Sequence, residues 1–333
     1  MHRRTDILFI ILATVSVCLL VADIATGPVH IDISDIACAL TGGDCPPEVS
    51  RIIIDIRLVK ALTAIIAGAA LSVSGLQMQT LFRNPLAGPY ILGISSGASL
   101  GVALFILGAP LSGIAGIMTS VGIAGAAWIG AGAILAVIAA VSRRIKDIMV
   151  ILILGIMFSS AVSAIVQILQ YLGNEQSLKA YVVWTMGSLG DVTGAELSIM
   201  TVAVISGTVI SVAGIKPLNT LIFGEEYART MGINILRTRM LLFVSTTLLA
   251  GTVTAFCGPI GFIGLAVPHV TRVMFATADH RILLPASILT GSSTMLLCDI
   301  VSKSLTLPVN SITALLGIPI VVWIVLRNRS IAV

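Results

Sequence analysis

The sequence predicts an all-α integral membrane protein with about ten transmembrane helices. Of its 333 residues, 57% are hydrophobic and only 10% are charged, whereas soluble domains carry roughly 25% charged residues. The mean hydropathy is +1.09 over the full length, and several apolar runs approach the roughly 20 residues that a helix needs to cross a bilayer. Runs such as 131–141 lack the alternation of membrane β-strands, so we predict helices, whose backbone polar groups are satisfied locally.

The apolar runs define ten predicted helices within one transmembrane domain that covers residues 1–333. Their predicted bounds are 7–26, 57–81, 91–108, 113–141, 147–172, 194–214, 238–257, 261–276, 282–306 and 311–326. The first run resembles a signal peptide behind a basic N-terminal stretch, but no clean cleavage site follows it, so an uncleaved helix is favoured. The eighth is the least regular, because it is short and Gly261, Gly264 and Pro268 interrupt it.

The distribution of Lys and Arg tests this count. With the N-terminus inside, ten spans place 14 of the 19 basic residues on the cytoplasmic side and 5 outside or near the outer face. If the eighth segment did not cross, the split would be 11 against 8. Because cytoplasmic loops are rich in Lys and Arg, the sequence predicts ten spans with both termini cytoplasmic. These basic residues are topology signals, and the pattern predicts no nucleic-acid partner.

Two polar connections stand out between the predicted helices. Residues 27–55 are predicted to form an extracytoplasmic loop, in which Cys38 and Cys45 either form a disulfide or remain free thiols. Residues 216–237 are predicted to lie in the cytoplasm as two short helices with a break at Gly232.

Small residues recur at four-residue spacing on two predicted helices, where they let helix backbones approach closely. The two stripes are Ala64, Gly68 and Ser72, and Gly93, Gly97 and Gly101. Internal packing explains both stripes best. Residues 67–101 and 250–276 are also weakly similar to each other, which is typical of an inverted repeat.

The sequence contains no recognisable catalytic or metal-binding motif. The four histidines lack metal-ligand spacing, the five cysteines include no CxxC, and no phosphate-binding loop is present. We therefore expect no cofactor and no enzymatic activity in this chain, and any ATP hydrolysis must occur on another subunit. Asp299 and Lys303 are one helical turn apart and are predicted to pair, either as a structural pair near the outer face or as part of an ion pathway.

Several long stretches resemble the iron-chelate and vitamin B12 uptake permeases of ABC importers. RNPLAGPYILGISSGASLG (83–101) is similar to one family signature, and GPIGFIGLAVPHVTR (258–272), followed by DHRILLP, is similar to another. GEEYARTMG (224–232) resembles the family's coupling segment, and LPVNSITALLGIPIVVWIVLR (307–327) resembles its last helix. The signature residues are Arg83, Asn84, Pro85, Gly93, Gly97, Gly101, Gly261, Gly264, Pro268 and His269.

The resemblance implies a type II ABC importer permease fold in the cytoplasmic (inner) membrane. The implied partners are a second copy in a homodimer, two ABC ATPase subunits on the cytoplasmic face, an extracytoplasmic solute-binding protein and the lipid bilayer. The implied cargo is a metal chelate: a ferric siderophore, haem or a cobalamin such as vitamin B12. The sequence does not distinguish these cargoes.

The resemblance also assigns roles to individual residues. The ATPase-coupling residues are Gly224, Glu225, Glu226, Ala228, Arg229 and Gly232, with Glu225, Glu226 and Arg229 expected to face outward. The residues expected to dock the binding protein are Arg57, Lys60 and Lys303, although Val59 and Lys60 depart from the R-L-P-R that the family often has. The pathway candidates are Ser159, Ser160, Ser163 and Gln167.

Two other functions compete with this interpretation. An ion- or proton-coupled secondary transporter would act without an ATPase, but it needs buried acidic residues, and Asp299 is the only one predicted well inside a helix. A membrane receptor or scaffold would not need the broken, glycine-rich helices.

Overall fold

The computed structural model describes residues 2–43, 45–108, 120–145 and 147–327, and within these ranges the chain forms helices and no strand. The α-helices are α1 (His2–Ala25), α2 (Ile33–Thr41), α3 (Pro47–Arg51), α4 (Val59–Leu81), α5 (Ile94–Ile106), α6 (Ser120–Arg144), α7 (Ile148–Leu172), α8 (Glu175–Thr185), α9 (Gly194–Ala213), α10 (Ile215–Leu221), α11 (Glu225–Thr230), α12 (Ile235–Thr246), α13 (Thr252–Cys257), α14 (Ile263–Phe275), α15 (His280–Leu305) and α16 (Val309–Arg327). Two π-helical segments, Ile52–Leu58 and Thr247–Gly251, make α3–α4 and α12–α13 continuous, and a 3₁₀ turn, Pro89–Leu92, precedes α5.

Six helical stretches are long and apolar enough to cross a membrane. They are Arg4–Ala25, Val121–Arg144, Ile148–Leu172, Gly194–Ala213, Ile235–Cys257 and His280–Leu305. Shorter apolar helices occur at Ile94–Ile106, Ile263–Phe275 and Val309–Trp323. The all-α class is thus confirmed, and each of the ten predicted segments overlaps a helix. The ten-span count and the cytoplasmic position of both termini stay predictions.

Helix α4 lies at the centre of the bundle and is buried on all sides along most of its length. It packs against α9, α12, α14 and α15. Two glycine contacts set this packing: a Cβ at Gly75 would collide with the carbonyl oxygen of Gly264 on α14, and one at Gly68 would collide with that of Gly291 on α15. Gly68 of the predicted small-residue stripe therefore serves internal helix packing.

The second small-residue stripe serves internal packing as well. Cβ atoms at Gly97 and Gly101 on α5 would collide with the carbonyl oxygens of Gly130 and Ala126 on α6. Gly93 is different, because it ends the 3₁₀ turn with a φ of 76°, a backbone conformation that favours glycine.

The structure differs from the predicted helix bounds in three places. The polar connection 27–55, predicted to be an extracytoplasmic loop, contains α2 and α3, and α8 occupies a stretch that was expected to be a loop. In the connection 216–237 the two short helices are separated at Gly224 (φ 109°), and Gly232 (φ 78°) lies between α11 and α12 instead. The first residues of the predicted fourth helix, 113–119, lie outside the described residues.

Candidate functional site

The predicted coupling segment, residues 216–237, has one anchored face and one exposed face. Ala228 is fully buried and anchors α11 in the bundle, as Leu218 and Leu221 anchor α10. On the other side Phe223 and Tyr227 are exposed, and their ring centroids lie 5.4 Å apart with the ring planes tilted by 55°. An apolar, aromatic surface that is rimmed by charge is typical of a protein interface.

The charged residues of α11 do not all face outward as expected. Glu225 points back to α12, where its Oε1 accepts a hydrogen bond from Nη2 of Arg239 at 2.6 Å. Glu226 has a side chain that is 90% exposed and pairs with Arg229 across one turn at 3.3 Å. The exposed charges of α11 are therefore Glu226 and Arg229, while Glu225 fastens the segment to the bundle.

A second attachment joins the coupling segment to α15. Asn219 on α10 donates from Nδ2 to Oδ1 of Asp279 (2.7 Å), and its Oδ1 accepts from the backbone N–H of His280 (2.8 Å). Asp279 caps α15 by accepting from the backbone N–H of Arg281 at 2.9 Å. That bond, followed by the one from Asn219, lowers the pKa of Asp279 below its ordinary value. Sequence reasoning missed this attachment, although an Asp directly before a helix is a readable cap signal.

At the opposite end of the bundle, Arg57 is used inside the protein. Only 4% of the residue is exposed. Its Nη1 donates to the carbonyl oxygens of Ile24 (2.9 Å) and Ala25 (3.1 Å), and Nη2 contacts that of Val29. The carbonyl groups of Ile24 and Ala25 are ones that the end of α1 leaves without helical partners, where a cation is favourable. Arg57 therefore caps α1.

The other two predicted docking cations belong to a buried ionic cluster, formed by Asp23, Lys60, Asp299 and Lys303. Nζ of Lys303 lies 2.8 Å from Asp23 Oδ2 and 2.8 Å from Asp299 Oδ2, and Nζ of Lys60 lies 3.1 Å from Asp299 Oδ1. The pairing of Asp299 with Lys303 is thus confirmed. Both acids are buried, and Lys60 is the most exposed member, at 22% of its side chain.

The ionic cluster has a net charge of zero and joins three helices, α1, α4 and α15. Because a buried ion is stable only when it is paired, the four residues depend on one another. The three predicted docking cations accordingly do not form one exposed surface. Their docking role stays a prediction, with Lys60 as the member that retains exposed area.

The four pathway candidates line one cavity along α7. Its volume is about 430 Å³, and Ser159, Ser160, Ser163 and Gln167 share its wall with Tyr90. The hydroxyls of Ser159 and Ser160 donate to carbonyl oxygens one turn earlier in the helix, so the wall offers neutral polar groups without fixed charge. Most of the remaining surface of α7 is exposed and apolar.

The predicted signature residues chiefly build turns and close contacts. Asn84 holds the turn after α4 by accepting from the backbone N–H of Leu86 (2.9 Å). Gly261 donates from its backbone N–H to Oδ1 of Asn310 (3.0 Å). Pro268 lies inside α14, and His269 contacts Trp323 edge to face at 6.0 Å. Arg83 (φ 48°) and Pro85 both line an inner cavity.

These features are those of a multi-pass membrane permease. The helices are long and apolar, a polar connection is anchored at one end of the bundle, and a neutral polar cavity lies along an exposed helix. Its sequence matches the model of the FecCD transport family over residues 12–327. The chain therefore belongs to the FecCD transport family and is the membrane-spanning subunit of an ABC transporter.

Individual relatives agree with this assignment. The chain is 37% identical over 285 residues to the hemin transport system permease protein HmuU of Yersinia pestis, with 83% of each chain covered. It is 36% identical over 279 residues to the vitamin B12 import system permease protein BtuC of Klebsiella pneumoniae, with 82% of each covered. A solved inward-facing structure of a metal-chelate type ABC transporter superposes with a TM-score of 0.85 at 29% identity, covering 97% of this chain and 99% of that one.

Proposed function

We propose that this chain, as a homodimer in the inner membrane, imports a metal chelate with energy from ATP hydrolysis on two separate subunits. In this proposal the helices cross ten times, both termini are cytoplasmic, and an extracytoplasmic binding protein delivers the cargo. The relatives in the FecCD family include permeases named for hemin and for vitamin B12. Their identities to this chain differ by one percentage point, so identity does not separate the two cargoes. The proposed cargo class is therefore a metal chelate in general, which also includes ferric siderophores.

The coupling segment is the observation that supports this proposal most directly. Its aromatic and charged outer face is free for a partner, while Glu225 and Asn219 fasten its inner face to α12 and α15. A surface held in this way can transmit a displacement to the bundle, which a freely mobile loop cannot do. We propose that Glu226, Arg229 and the exposed aromatic pair contact the ATPase.

The distribution of buried acids supports an ATP-driven importer over a proton-coupled carrier. Among the described residues the buried acids are Asp23, Glu196 and Asp299. Asp23 and Asp299 pair with lysines, and Glu196 completes the capping box of α9 with Thr193. All three are therefore engaged in structural contacts, whereas a proton relay needs acids that are free to exchange protons.

Co-purification from the native host tests the assembly. The tagged chain should bring down an ATPase in equal amount and a binding protein whose ligand mass spectrometry identifies. Uptake into proteoliposomes should require the ATPase and ATP. Recovery of the chain alone, with uptake in the absence of ATP, would overturn the proposal.

Single-cysteine labelling tests the topology separately. In a variant whose five native cysteines are replaced, Arg281→Cys should react with a membrane-impermeant maleimide only from the cytoplasmic side. Reaction from outside would contradict the ten-span arrangement. It would also mean that the coupling segment does not lie on the cytoplasmic side, where the ATPase would bind.

A further inference from the structure

A cavity of about 210 Å³ opens at the end of the bundle that holds the coupling segment. It lies where α4 and α14 end and α15 begins, and Ile222, next to α10, forms part of its wall. Its polar lining consists of Gln79, Thr80, Arg83, Asn84, Arg272 and His280. Two guanidinium groups thus share one small cavity.

Arg272 supplies a positive charge that is held in place by neutral groups. Its Nη1 donates to Oε1 of Gln79 at 2.7 Å, and its Nη2 donates to Oγ1 of Thr80 at 3.3 Å. Within the described part of the chain, no carboxylate lies within 4.0 Å of this guanidinium. Because a guanidinium has five N–H donors and the hydrogen bonds to Gln79 and Thr80 use two of them, Arg272 can donate to an added acceptor in the cavity.

Arg83 supplies the second positive charge and connects the cavity to the coupling segment. Its side chain approaches Gly224, where an added Cβ would lie 3.6 Å from Nη1. The acidic residues of this region have other partners: Glu225 pairs with Arg239, and Glu226 pairs with Arg229. Over the described residues, Arg83 forms no ion pair within 4.0 Å either.

His280 fixes the back of the cavity through hydrogen bonds of both ring nitrogens with neutral groups. Nδ1 lies 2.7 Å from Oδ1 of Asn219, and that oxygen is the acceptor because the amide nitrogen donates to Asp279. Nδ1 therefore donates, and Nε2 lies 2.9 Å from the hydroxyl oxygen of Thr80, whose single proton can go to Nε2 or to the carbonyl oxygen of Leu76. The fixed charges of the cavity are the two guanidinium groups, and the neighbouring Asp279 is committed to Asn219 and to the cap of α15.

We propose that this cavity binds a tetrahedral oxyanion of the phosphate class, either inorganic phosphate or the headgroup phosphate of an anionic lipid. Guanidinium groups match phosphate oxygens in geometry and bind them through paired charge-assisted hydrogen bonds. The amide nitrogen of Asn84 is a further donor, since its Oδ1 already accepts from Leu86. A cavity of about 210 Å³ is large enough to hold a phosphate group.

A bound oxyanion would join the ends of α4 and α14 to the coupling segment at Gly224, between α10 and α11. Arg272 belongs to α14, and Arg83 directly follows α4 and reaches Gly224. The anion would therefore stiffen the contact through which the coupling segment acts on the bundle. The site is defined by binding alone, so it can be tested without any transport assay.

The test is thermal unfolding of the purified full-length chain in phosphatidylcholine nanodiscs, titrated with sodium phosphate at pH 7 and constant ionic strength. The unfolding midpoint should rise saturably with phosphate and not with sodium chloride. Arg272→Gln should raise the half-saturating phosphate concentration at least about tenfold, as expected for the loss of a charge-assisted hydrogen-bond pair. Arg281→Gln, which removes an exposed cation at the same end of the bundle, should leave it unchanged.

A second variant tests the site even if Arg272→Gln fails to fold. A second lipid composition distinguishes free phosphate from a lipid headgroup as the ligand. Arg83→Asn removes the other charge and suits the left-handed backbone at this position, so it should also weaken the phosphate response while folding normally. If nanodiscs with phosphatidylglycerol raise the midpoint and abolish the phosphate response, the headgroup occupies the site; if the response persists, the ligand is free phosphate. Equal responses of the wild type and both variants, or no saturable response to either source, would refute the site.

Discussion

The contacts in the ionic cluster predict that its two lysines contribute unequally to the stability of the fold. Lys303 contacts both acids, so Lys303→Met leaves two buried carboxylates with Lys60 as their single cation. Removing one partner from a buried ion pair costs about 3–5 kcal/mol, because the remaining charge is uncompensated. Lys60→Met should cost only about 1 kcal/mol, since its side chain is partly exposed and Lys303 still neutralises part of the charge.

Differential scanning fluorimetry of the purified chain measures this difference. At about 2 °C per kcal/mol for a chain of this length, Lys303→Met should lower the unfolding midpoint by about 6–10 °C and Lys60→Met by about 2 °C. Lys179→Met is the control, because Lys179 is an exposed residue of α8, and it should shift the midpoint by less than about 1 °C.

A double substitution separates charge balance from simple loss of packing. Adding Asp23→Asn to Lys303→Met removes one charge of each sign and leaves Lys60 paired with Asp299. The double variant should therefore be more stable than Lys303→Met alone, with a coupling energy of about 1 kcal/mol or more. If Lys303→Met behaves like the Lys179 control, or if the two losses simply add, the four residues do not act as one cluster.

Three further predictions concern the rest of the bundle. Glu226→Lys should sharply reduce ATP-driven uptake in proteoliposomes without lowering the unfolding midpoint, because Glu226 is exposed on the coupling segment; normal uptake would remove it from the ATPase contact. Gly75→Val should lower the unfolding midpoint severely or prevent folding, since the added atoms would overlap the backbone of Gly264. The control Gly125→Ala should be neutral or slightly stabilising, because an added Cβ there meets nothing within 4 Å. Equal effects of the two substitutions would contradict the packing argument. The folded state lowers the pKa of Asp279, so the Asp279 carboxylate stabilises the fold fully above its ordinary pKa near 4, and this stabilisation is lost as the pH falls through the lowered pKa. The difference in stability between the wild type and Asp279→Asn should therefore close in acid. A difference that stays constant down to about pH 3 would show that the charge of Asp279 is irrelevant.

The helices were predictable because their signals are local. Apolar runs, glycine breaks and charge bias depend on neighbouring residues, and all ten predicted segments overlap helices. The helix α8 was missed because its composition is too polar for a membrane span. Its start was nevertheless readable: Asn174 accepts from the backbone N–H of Ser177 as an N-cap, and Glu175 follows in the first turn.

The candidate site was only partly predictable, because a sequence reveals contacts between nearby residues and not contacts between distant ones. The pair Asp299–Lys303 is one helical turn apart and was predicted, whereas Asp23 lies 280 positions before Lys303 and was not. Arg57, Lys60 and Lys303 were assigned to an outer docking surface by resemblance, since a sequence shows the charge of a residue and not its burial. The same holds for Glu225, whose partner Arg239 lies 14 residues later on another helix.

The contacts at its two ends make α15 the most direct connection between the coupling segment and the opposite end of the bundle. Its 26 residues span about 39 Å at 1.5 Å per residue. Asn219 holds its first turn to α10, Gly291 fits it closely against α4, and Asp299 and Lys303 tie its other end to α4 and α1. Because a close-packed core cannot absorb a displacement between these points, we infer that movement of the coupling segment reaches the opposite end through α15. Asn219→Ala cuts the first contact and leaves the ionic cluster intact, so it should slow ATP-driven uptake while the ATPase still binds; unchanged uptake would mean that the movement travels through Glu225 and α12 instead.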